Sequence, residues 1–299
     1  MPSQDGARPW TSASRCMRRR ADDSRYTAPM YIDAEQPERA LAGAGLEPAR
    51  LSGGRGLAIV EVAGRDSVAA AVVAVREHGF STLLPTTVAT GTEYGDEHAS
   101  DQAVEHLASL VGDGVVVLSP LRLGSPRLWS AICGRYASAI AERYRIQSPC
   151  LGCHLYMHLA RVPLARALGG APIVAGEREL HGERVKLSQN APGIDASIRA
   201  VARAGIELIE PIRRVRDGEE IAGLVGDGWS ADERQLRCVH SGNYIGLDGE
   251  VVYDELAYAR YVRGFLEPVG AAIVDAWAVT PEPEYEEIVR CVLEGPDAA

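Results

Sequence analysis

Two closely spaced cysteines carry the strongest chemical signal in the sequence. Cys150 and Cys153 are separated by two residues in the segment SPCLGCH, and Cys238 follows 85 residues later in RCVHSGNY. A C-x-x-C pair brings two soft thiolates within reach of one metal centre. In a cytosolic protein, where disulfides are rare, such a pair indicates metal or redox chemistry.

Three interpretations of this motif follow from the residue types. Cys150 to His154 matches the attachment sequence of c-type haem, which would require export of the protein. A structural zinc site needs four protein ligands, and His154, Cys238 or His240 could complete such a set. A redox dithiol is the third interpretation, although a pair of that kind should open the helix that follows a first strand.

The stretch VAGRDS at 62–67 is a second candidate site, in this case for an anion. It lies between an apolar strand and an Ala/Val-rich helix, but neither the P-loop motif nor G-x-G-x-x-G is present. A helix N-terminus offers unpaired N–H groups, and small residues such as Ala63 and Gly64 let a phosphate approach closely. Arg65 would add a cation and the Ser67 hydroxyl a donor. The alternative is an ordinary strand-to-helix turn.

A charged segment, VAGERELHGERVKLSQN at 174–190, follows a later predicted strand. It contains Lys186, the single lysine among 31 Lys and Arg residues. A compact ammonium near a phosphoanhydride would stabilise negative charge during adenylation, which an arginine would do less well. A solvated charged loop, in which one lysine survived by chance, is the alternative.

The elements that must position these residues alternate between strands and helices. The predicted strands are 57–63, 81–89, 114–121, 171–176 and 206–212. The predicted helices are 66–79, 96–112, 126–144, 153–169 and 195–205. This alternation implies βαβ units in a mostly parallel sheet, with ligands bound beyond the carboxyl ends of the strands. The sequence therefore predicts a doubly wound α/β fold.

The order of these segments resembles a known family. VAGRDS is similar to the S-G-G-x-D-S loop of PP-loop ATP pyrophosphatases, which are adenine nucleotide alpha hydrolase-like (HUP-like) proteins. Gly64, Asp66 and Ser67 match that loop, whereas Val62 and Ala63 replace its first Ser and Gly. The resemblance covers roughly residues 55–225 and Cys238. It implies that residues 63–67 bind ATP together with Mg²⁺.

The cysteines resemble those of the PP-loop sulfurtransferases, which include tRNA 2-thiolation enzymes. In that group three cysteines hold a [4Fe–4S] cluster, so the resemblance implies this role for Cys150, Cys153 and Cys238, with Zn²⁺ as the alternative metal. It also implies that Gly176 and Glu177 belong to the nucleotide site. Further residues implied near the adenylate or substrate are Glu179, His181, Lys186, Gln189, Arg213 and Arg214.

The implied function is ATP-dependent sulfur transfer. The enzyme would adenylate a carbonyl-type oxygen of a nucleobase or small molecule and replace it with sulfur, received from a donor protein or free sulfide. A ligase or amidase with structural zinc is one alternative, and a nucleotide-binding regulatory protein with a degenerate loop is another. A tRNA substrate and a homodimer are further candidate partners.

Composition limits the partners and the location. The net charge is −10, and the first 29 residues hold six Arg against three Asp, so the remainder carries about −13. That balance argues against a large nucleic-acid interface. Since no apolar run could span a bilayer and no secretory signal is visible, we expect a cytoplasmic protein. The predicted organisation is a disordered Arg-rich tail (1–29), the PP-loop domain (30–225) and a small C-terminal extension (226–299).

Overall fold

A fully buried strand, Leu57–Glu61, lies near the centre of the sheet in this computed structural model. Its alternate side chains face different cores, with Ile59 on one side and Ala58 and Val60 on the other. Aliphatic runs covered on both faces are typical of parallel strands flanked by helices. The structure describes residues 32–51, 56–96, 98–182, 185–226, 229 and 235–295, so the predicted tail, 1–29, lies outside the described residues.

The described strands and helices are numbered in chain order. The strands are β1 Ile32–Asp33, β2 Leu57–Glu61, β3 Thr82–Ala89, β4 Glu93–Tyr94, β5 Val116–Val117, β6 Leu121–Gly124, β7 Ile173–Val174, β8 Leu208–Ile209 and β9 Arg237–Cys238. The α-helices are α1 Pro37–Gly43, α2 Pro48–Leu51, α3 Arg65–His78, α4 Ala99–Val111, α5 Pro126–Trp129, α6 Ala137–Tyr144, α7 Cys150–Leu159, α8 Val162–Ala167, α9 Ala191–Arg203, α10 Gly218–Val225, α11 Glu255–Tyr261, α12 Glu267–Ala276 and α13 Tyr285–Glu294. Two π-helical turns occupy Ser130–Gly134 and Val262–Leu266.

The main sheet has the order β1-β6-β3-β2-β7-β8, and β5 also pairs with β3. Every pair in it is parallel. Successive strands progress from β2 through β3 to β6, and then the chain returns to the other side of β2 to form β7 and β8. In open α/β sheets this reversal marks the ligand crevice, outside the carboxyl ends of the two strands concerned. The predicted doubly wound, mostly parallel α/β fold is confirmed.

Helices cover both faces of this sheet. One core contains side chains of α3, α4 and α10, and the other contains side chains of α7, α9 and the C-terminal helices. Helix α12 packs against α9: a Cβ placed on Gly270 would lie 2.9 Å from the Ala200 methyl group. The described residues form one compact unit, and the domain boundary at 226 stays a prediction. None of the described helices combines the length and the apolar character that a bilayer crossing requires.

Three predicted elements differ from the structure in their continuity or in where they begin. The strand predicted at 114–121 is divided into β5 and β6, with Pro120, which has no N–H to donate, between them. The helix predicted at 126–144 is interrupted by the π-helical turn. The helix predicted from 153 begins at Cys150, so both cysteines of the C-x-x-C pair lie in the first turns of α7.

Candidate functional site

Three thiols converge from two distant parts of the chain. Cys150 and Cys153 come from the start of α7, and Cys238 from β9, which pairs antiparallel with β4. Cys150 and Cys153 are close enough to each other and to Cys238 for their charges to interact. We call Cys150, Cys153 and Cys238 the thiol site. The structure thus brings together the three cysteines that the sequence analysis grouped.

Mostly neutral groups surround the thiol site. Cys150 Sγ lies 3.7 Å from the His240 carbonyl oxygen and 3.8 Å from Asn243 Oδ1, to either of which it can donate. Burial raises the pKa of Cys150, and it raises the pKa of Cys153 to about 12. Both therefore hold their protons at neutral pH unless a metal ion or another cation is present.

Gly152 and a fourth cysteine, Cys133, lie where helix α7 packs against the π-helical turn beside the thiol site. A Cβ on Gly152 would lie 2.8 Å from Ile132 Cγ2 and 3.2 Å from Cys133 Sγ, so only glycine lets α7 approach the π-helical turn so closely. Cys133 itself is 4% exposed and belongs to the hydrophobic core. Its burial raises its pKa well above the usual range.

The donor chemistry of the thiol site suits a soft metal, since thiolate sulfur favours zinc and iron–sulfur clusters. The spacing is more open than that of a metal-bound set: within the described ranges, no three His, Cys, Asp or Glu side chains are grouped closely enough to hold an ion. Iron or zinc at this site stays a prediction.

The VAGRDS loop is closed on itself by one hydroxyl. Ser67 Oγ accepts the N–H groups of Ala63 at 2.9 Å and Gly64 at 3.1 Å, and donates to the Gly64 carbonyl oxygen at 2.7 Å. The predicted donation from Ser67 to a phosphate would require this arrangement to open. In this closed arrangement an anion can bind at the N-terminus of α3, which carries a partial positive charge.

Gly176 fits directly against that helix N-terminus. A Cβ at this position would lie 2.5 Å from both the Ser67 nitrogen and its Cα, which backbone atoms cannot accommodate. Gly176 follows β7, on the other side of the strand reversal from the loop after β2. The two predicted halves of the nucleotide site therefore touch at the expected crevice.

Basic side chains lie near this contact. Arg178 donates to Asp66 Oδ2 at 2.8 Å, and Lys186 Nζ lies 3.2 Å from Gln189 Oε1. Partial burial of the ammonium lowers the pKa of Lys186. The charge of Asp66 opposes this shift, and the charge of Arg178 adds to it. The residue as a whole is exposed. The charge of Arg65 also lowers the pKa of Lys186.

His181 lies in this basic surrounding and is uncharged. Burial, followed by the charges of Lys186 and Arg178, lowers the pKa of His181 to about 4. Its Nε2 atom is buried and has no hydrogen-bond partner among the described residues. A neutral imidazole can accept a proton or a hydrogen bond at that atom, which is compatible with the predicted catalytic position.

The predicted nucleotide residue Glu177 is part of a buried ionic network instead of facing the crevice. Its Oε1 lies 2.6 Å from His154 Nδ1 and 3.4 Å from His158 Nε2, and its Oε2 accepts from Gln189 at 2.7 Å. Arg161, which is 1% exposed, lies 3.3 Å from Glu61 in the same region. We call Glu61, His154, His158, Arg161 and Glu177 the buried ionic network.

Protonation in this network follows from the close contacts. Burial alone would lower the pKa of His154, but Glu177 raises it above the ordinary value. Burial would likewise raise the pKa of Glu177, but the two histidines bring it well below its ordinary range. His154 and Glu177 therefore form an ion pair, and Arg161 lies beside Glu61 as a second cation of the network.

Glu210 is a further buried carboxyl that the sequence analysis did not single out. It follows β8 at the carboxyl edge, and both of its oxygens are buried without a hydrogen-bond partner in the described part of the chain. Burial, and then the charge of Glu177, raises the pKa of Glu210 to about 9. It is therefore protonated at neutral pH.

Arg213 and Arg214 both lie beside Glu179. Both contact Glu179, at 2.8 and 3.3 Å, and Arg213 also contacts Asp195 at 2.8 Å. Arg213 is thus engaged by two carboxylates, whereas the Arg214 side chain is 82% exposed. The prediction that they face a nucleotide or substrate stays a prediction.

The sequence analysis missed the charged residues Glu61 and Arg161. The family resemblance places the segment GTEYGDE at 91–97, which contains Thr92, beside the adenosine of ATP, but it does not link Thr92 to the thiol site. A signal existed for Glu61 and Arg161, because each is a charged residue inside an apolar run, LAIVE and LARVPL. Thr92 gave no comparable signal, since a threonine after a strand is ordinary.

Fold and site define a class: a doubly wound α/β protein with a glycine-contacted helix N-terminus and a thiol site at the carboxyl edge of its sheet. No family model matches the chain. The sequence is 36% identical over 223 residues to the protein named "Uncharacterized protein MJ0009" of Methanocaldococcus jannaschii, a match that spans 74% of this chain and 80% of the archaeal one. The chain belongs to the same family as that protein.

Proposed function

We propose that the protein is an ATP-dependent sulfurtransferase that adenylates a carbonyl-type oxygen of a small molecule or nucleobase and replaces it with sulfur. The observation that carries this proposal is the segment from Gln235 to Cys238. The Gln235 side chain lies against Gly64 of the loop, and three residues later Cys238 lies in electrostatic range of Cys150 and Cys153. Sulfur transfer to an activated substrate requires a nucleotide site and a sulfur carrier side by side.

The basic residues support the adenylation step. In the proposed reaction the substrate oxygen attacks the α-phosphate of Mg²⁺–ATP, the bond to the β-phosphate breaks, and pyrophosphate leaves. The helix N-terminus of α3, with Arg65 and Lys186 nearby, stabilises the negative charge that develops. The resulting adenylate makes the substrate oxygen a good leaving group, which departs in AMP.

The thiol site supports the sulfur step. Its three cysteines are the residues that would hold a [4Fe–4S] cluster, which when bound would carry a sulfide received from the donor, and this sulfide would replace the oxygen that departs in AMP. The protein orients the thiols through the start of α7 and the β4–β9 pair. We place this chemistry in the cytoplasm, because cysteines remain reduced there.

A second candidate function, nucleotide binding without turnover, is favoured by one specific observation. The N–H groups of Ala63 and Gly64 are already bonded to Ser67. A loop in this closed state binds phosphate only through the helix terminus and the basic side chains. Such a protein would act as a nucleotide-responsive regulator.

Pyrophosphate release separates the two functions. The assay measures pyrophosphate from ATP with a panel of nucleobases and amides, for the wild type and for Ser67→Ala. Sulfur transfer predicts substrate-dependent release that falls at least about tenfold in Ser67→Ala, since the variant loses the bonds that shape the loop. Ser109→Ala, an exposed serine of α4, should release pyrophosphate at the wild-type rate. ATP binding without release by any of these substrates would favour the regulator.

The thiols are tested by metal content. After anaerobic purification and reconstitution, we expect iron and labile sulfide in the wild type and in Cys291→Ala, whose thiol is exposed on α13. Cys150→Ala, Cys153→Ala and Cys238→Ala should each lose the iron. A colourless wild-type protein with one zinc would contradict the cluster and favour the zinc-containing ligase or amidase.

A further inference from the structure

Thr92 lies directly beside the third thiol. Its hydroxyl oxygen is 3.2 Å from Cys238 Sγ, and the residue is only 9% exposed. The backbone joins the same two segments, because the Val239 N–H donates to the Thr92 carbonyl oxygen at 2.9 Å. Main chain and side chain thus both hold Cys238 against residue 92.

Glu93 fixes the turn from which this hydroxyl projects. Its carboxylate accepts the N–H of Thr90 at 2.7 Å, the hydroxyl of Thr90 at 2.7 Å and the N–H of Thr92 at 3.1 Å. Gly91 occupies the left-handed region with φ 73°, which favours glycine in this tight turn. Three hydrogen bonds to one carboxylate keep the Thr92 side chain from rotating away with the loop.

The single hydroxyl hydrogen of Thr92 has two acceptors within reach. Thr90 Oγ1 lies at 2.6 Å and Cys238 Sγ at 3.2 Å, and the Thr90 hydroxyl donates to Glu93. A metal-bound sulfur is a thiolate, which only accepts, and hydrogen bonds to charged acceptors are stronger than neutral ones. A thiolate at Cys238 therefore draws the Thr92 hydrogen to itself.

The other thiol with described polar contacts has a different surrounding. Cys150 faces two acceptors, the His240 carbonyl oxygen and Asn243 Oδ1, whereas Cys238 Sγ accepts the His240 N–H at 3.4 Å in addition to facing Thr92. Hydrogen bonds from outer groups orient metal ligands, and their loss typically weakens metal binding ten- to a hundredfold. At the third ligand position Cys238 thus receives a backbone N–H and faces a hydroxyl, while Ser148 and Trp129 are the donors near Cys150 and Cys153.

We propose that Thr92 is a positioning residue for Cys238: its hydroxyl donates to the sulfur and holds it in place as the third metal ligand of the thiol site. The inference rests on the proposed role of the three thiols as metal ligands. It predicts a specific requirement for a hydroxyl at position 92, which valine, of nearly the same shape, does not meet.

Cobalt binding tests this requirement without enzymatic turnover. Full-length protein is titrated anaerobically with Co²⁺, and the sulfur-to-cobalt charge-transfer band gives the dissociation constant. We expect Thr92→Val to raise the Kd at least about tenfold, while Thr92→Ser, which keeps the hydroxyl, stays within about threefold of the wild type. Thr87→Val, a matched change in β3, should leave the Kd unchanged. Thr92→Ala carries the same test if valine perturbs folding.

The outcome is separable from that of the proposed function. Equal Kd values for the wild type and Thr92→Val, or a wild type without the sulfur-to-cobalt band, would overturn the proposal. Failure of every substrate to release pyrophosphate removes the ATP chemistry but leaves the cobalt series valid. The converse, ATP cleavage with a cobalt series that is flat across the variants, removes only the role of Thr92.

Discussion

The buried ionic network and the thiol site share helix α7, which carries two members of each, yet they are built in opposite ways. Cys150 and Cys153 precede His154, which is already bonded to Glu177, and His158 and Arg161 follow within two turns. In the network, full charges are paired, and every member except His154 is more than nine-tenths buried. In the thiol site burial keeps Cys150 and Cys153 protonated, and the hydrogen bonds of Cys150 are long and go to neutral partners.

This difference shows which of the two regions can still bind a ligand. A buried charge pair is costly to disrupt, because removal of one partner leaves the other desolvated and unpaired. Glu177 is therefore held by the protein and unavailable to a nucleotide, in contrast to the expectation from the sequence. Neutral thiols lose only weak bonds when they bind a metal, so the thiol site can change its state without disturbing the fold.

Removal of the central cation should have the largest effect on stability. We expect Arg161→Met to lower the free energy of unfolding by about 3–5 kcal/mol, because Glu61 then remains buried without its cation. Urea denaturation measures the change. A second substitution, Glu61→Gln, should recover part of the loss. Arg203→Met removes an arginine from an exposed ion pair with Asp275 and should change stability little. Equal effects of the two arginine variants would contradict the contrast between buried and exposed charge.

Gly176→Ala tests the contact between the two sides of the crevice. The added methyl group would collide with the Ser67 backbone, so we expect a loss of roughly 2–3 kcal/mol in urea denaturation. Gly223→Ala is the control, since no atom lies within 4 Å of a Cβ there. In the interior of helix α10 it should stabilise by roughly 0.5–1 kcal/mol. A neutral Gly176→Ala would show that residues 175–177 lie away from the helix terminus.

Glu210 should make stability fall with rising pH. Its folded-state pKa of about 9 exceeds the ordinary 4.5, so between those values the folded protein holds a proton that the unfolded chain has released. The free energy of unfolding therefore falls progressively as pH rises through this window. We expect Glu210→Gln to flatten the profile and to stabilise by roughly 1–2 kcal/mol at pH 8.

Thermal or urea unfolding between pH 5 and pH 9 measures this profile. Glu207→Gln, an exposed carboxylate three residues earlier, should leave its slope unchanged. If Glu210→Gln and the wild type show parallel profiles, the carboxyl is ionised and has a partner in the folded protein.

The smallest effect is expected on the thiol side. Ser148 donates to Asn243 Oδ1 at 3.0 Å, and this neutral bond supports the turn beside Cys150. We expect Ser148→Ala to cost about 1 kcal/mol in urea denaturation, which is the usual value for one neutral hydrogen bond. A loss as large as that of Arg161→Met would show that the two regions do not differ in the way proposed.

Most of the fold could be predicted from the sequence, because the alternation of apolar strands and helices with capping residues is local information. The predicted elements that differ from the structure do so for local reasons as well: Pro120 divides a strand, and a π-helical turn interrupts a helix. Within the candidate site, the grouping of Cys150 and Cys153 followed from their spacing. The inclusion of Cys238 came from a family resemblance, and the structure brings this residue near the other two.

The sequence by itself determined the α/β class, the helix start after Leu57–Glu61 and the presence of a C-x-x-C pair, since each depends on residues a few positions apart. Only the tertiary structure decided that Glu177 pairs with His154, that Glu210 is protonated and that Thr92 faces Cys238. These contacts join segments tens of residues apart. Their chemistry arises from burial and from charges brought together by the parallel sheet, which no local pattern encodes.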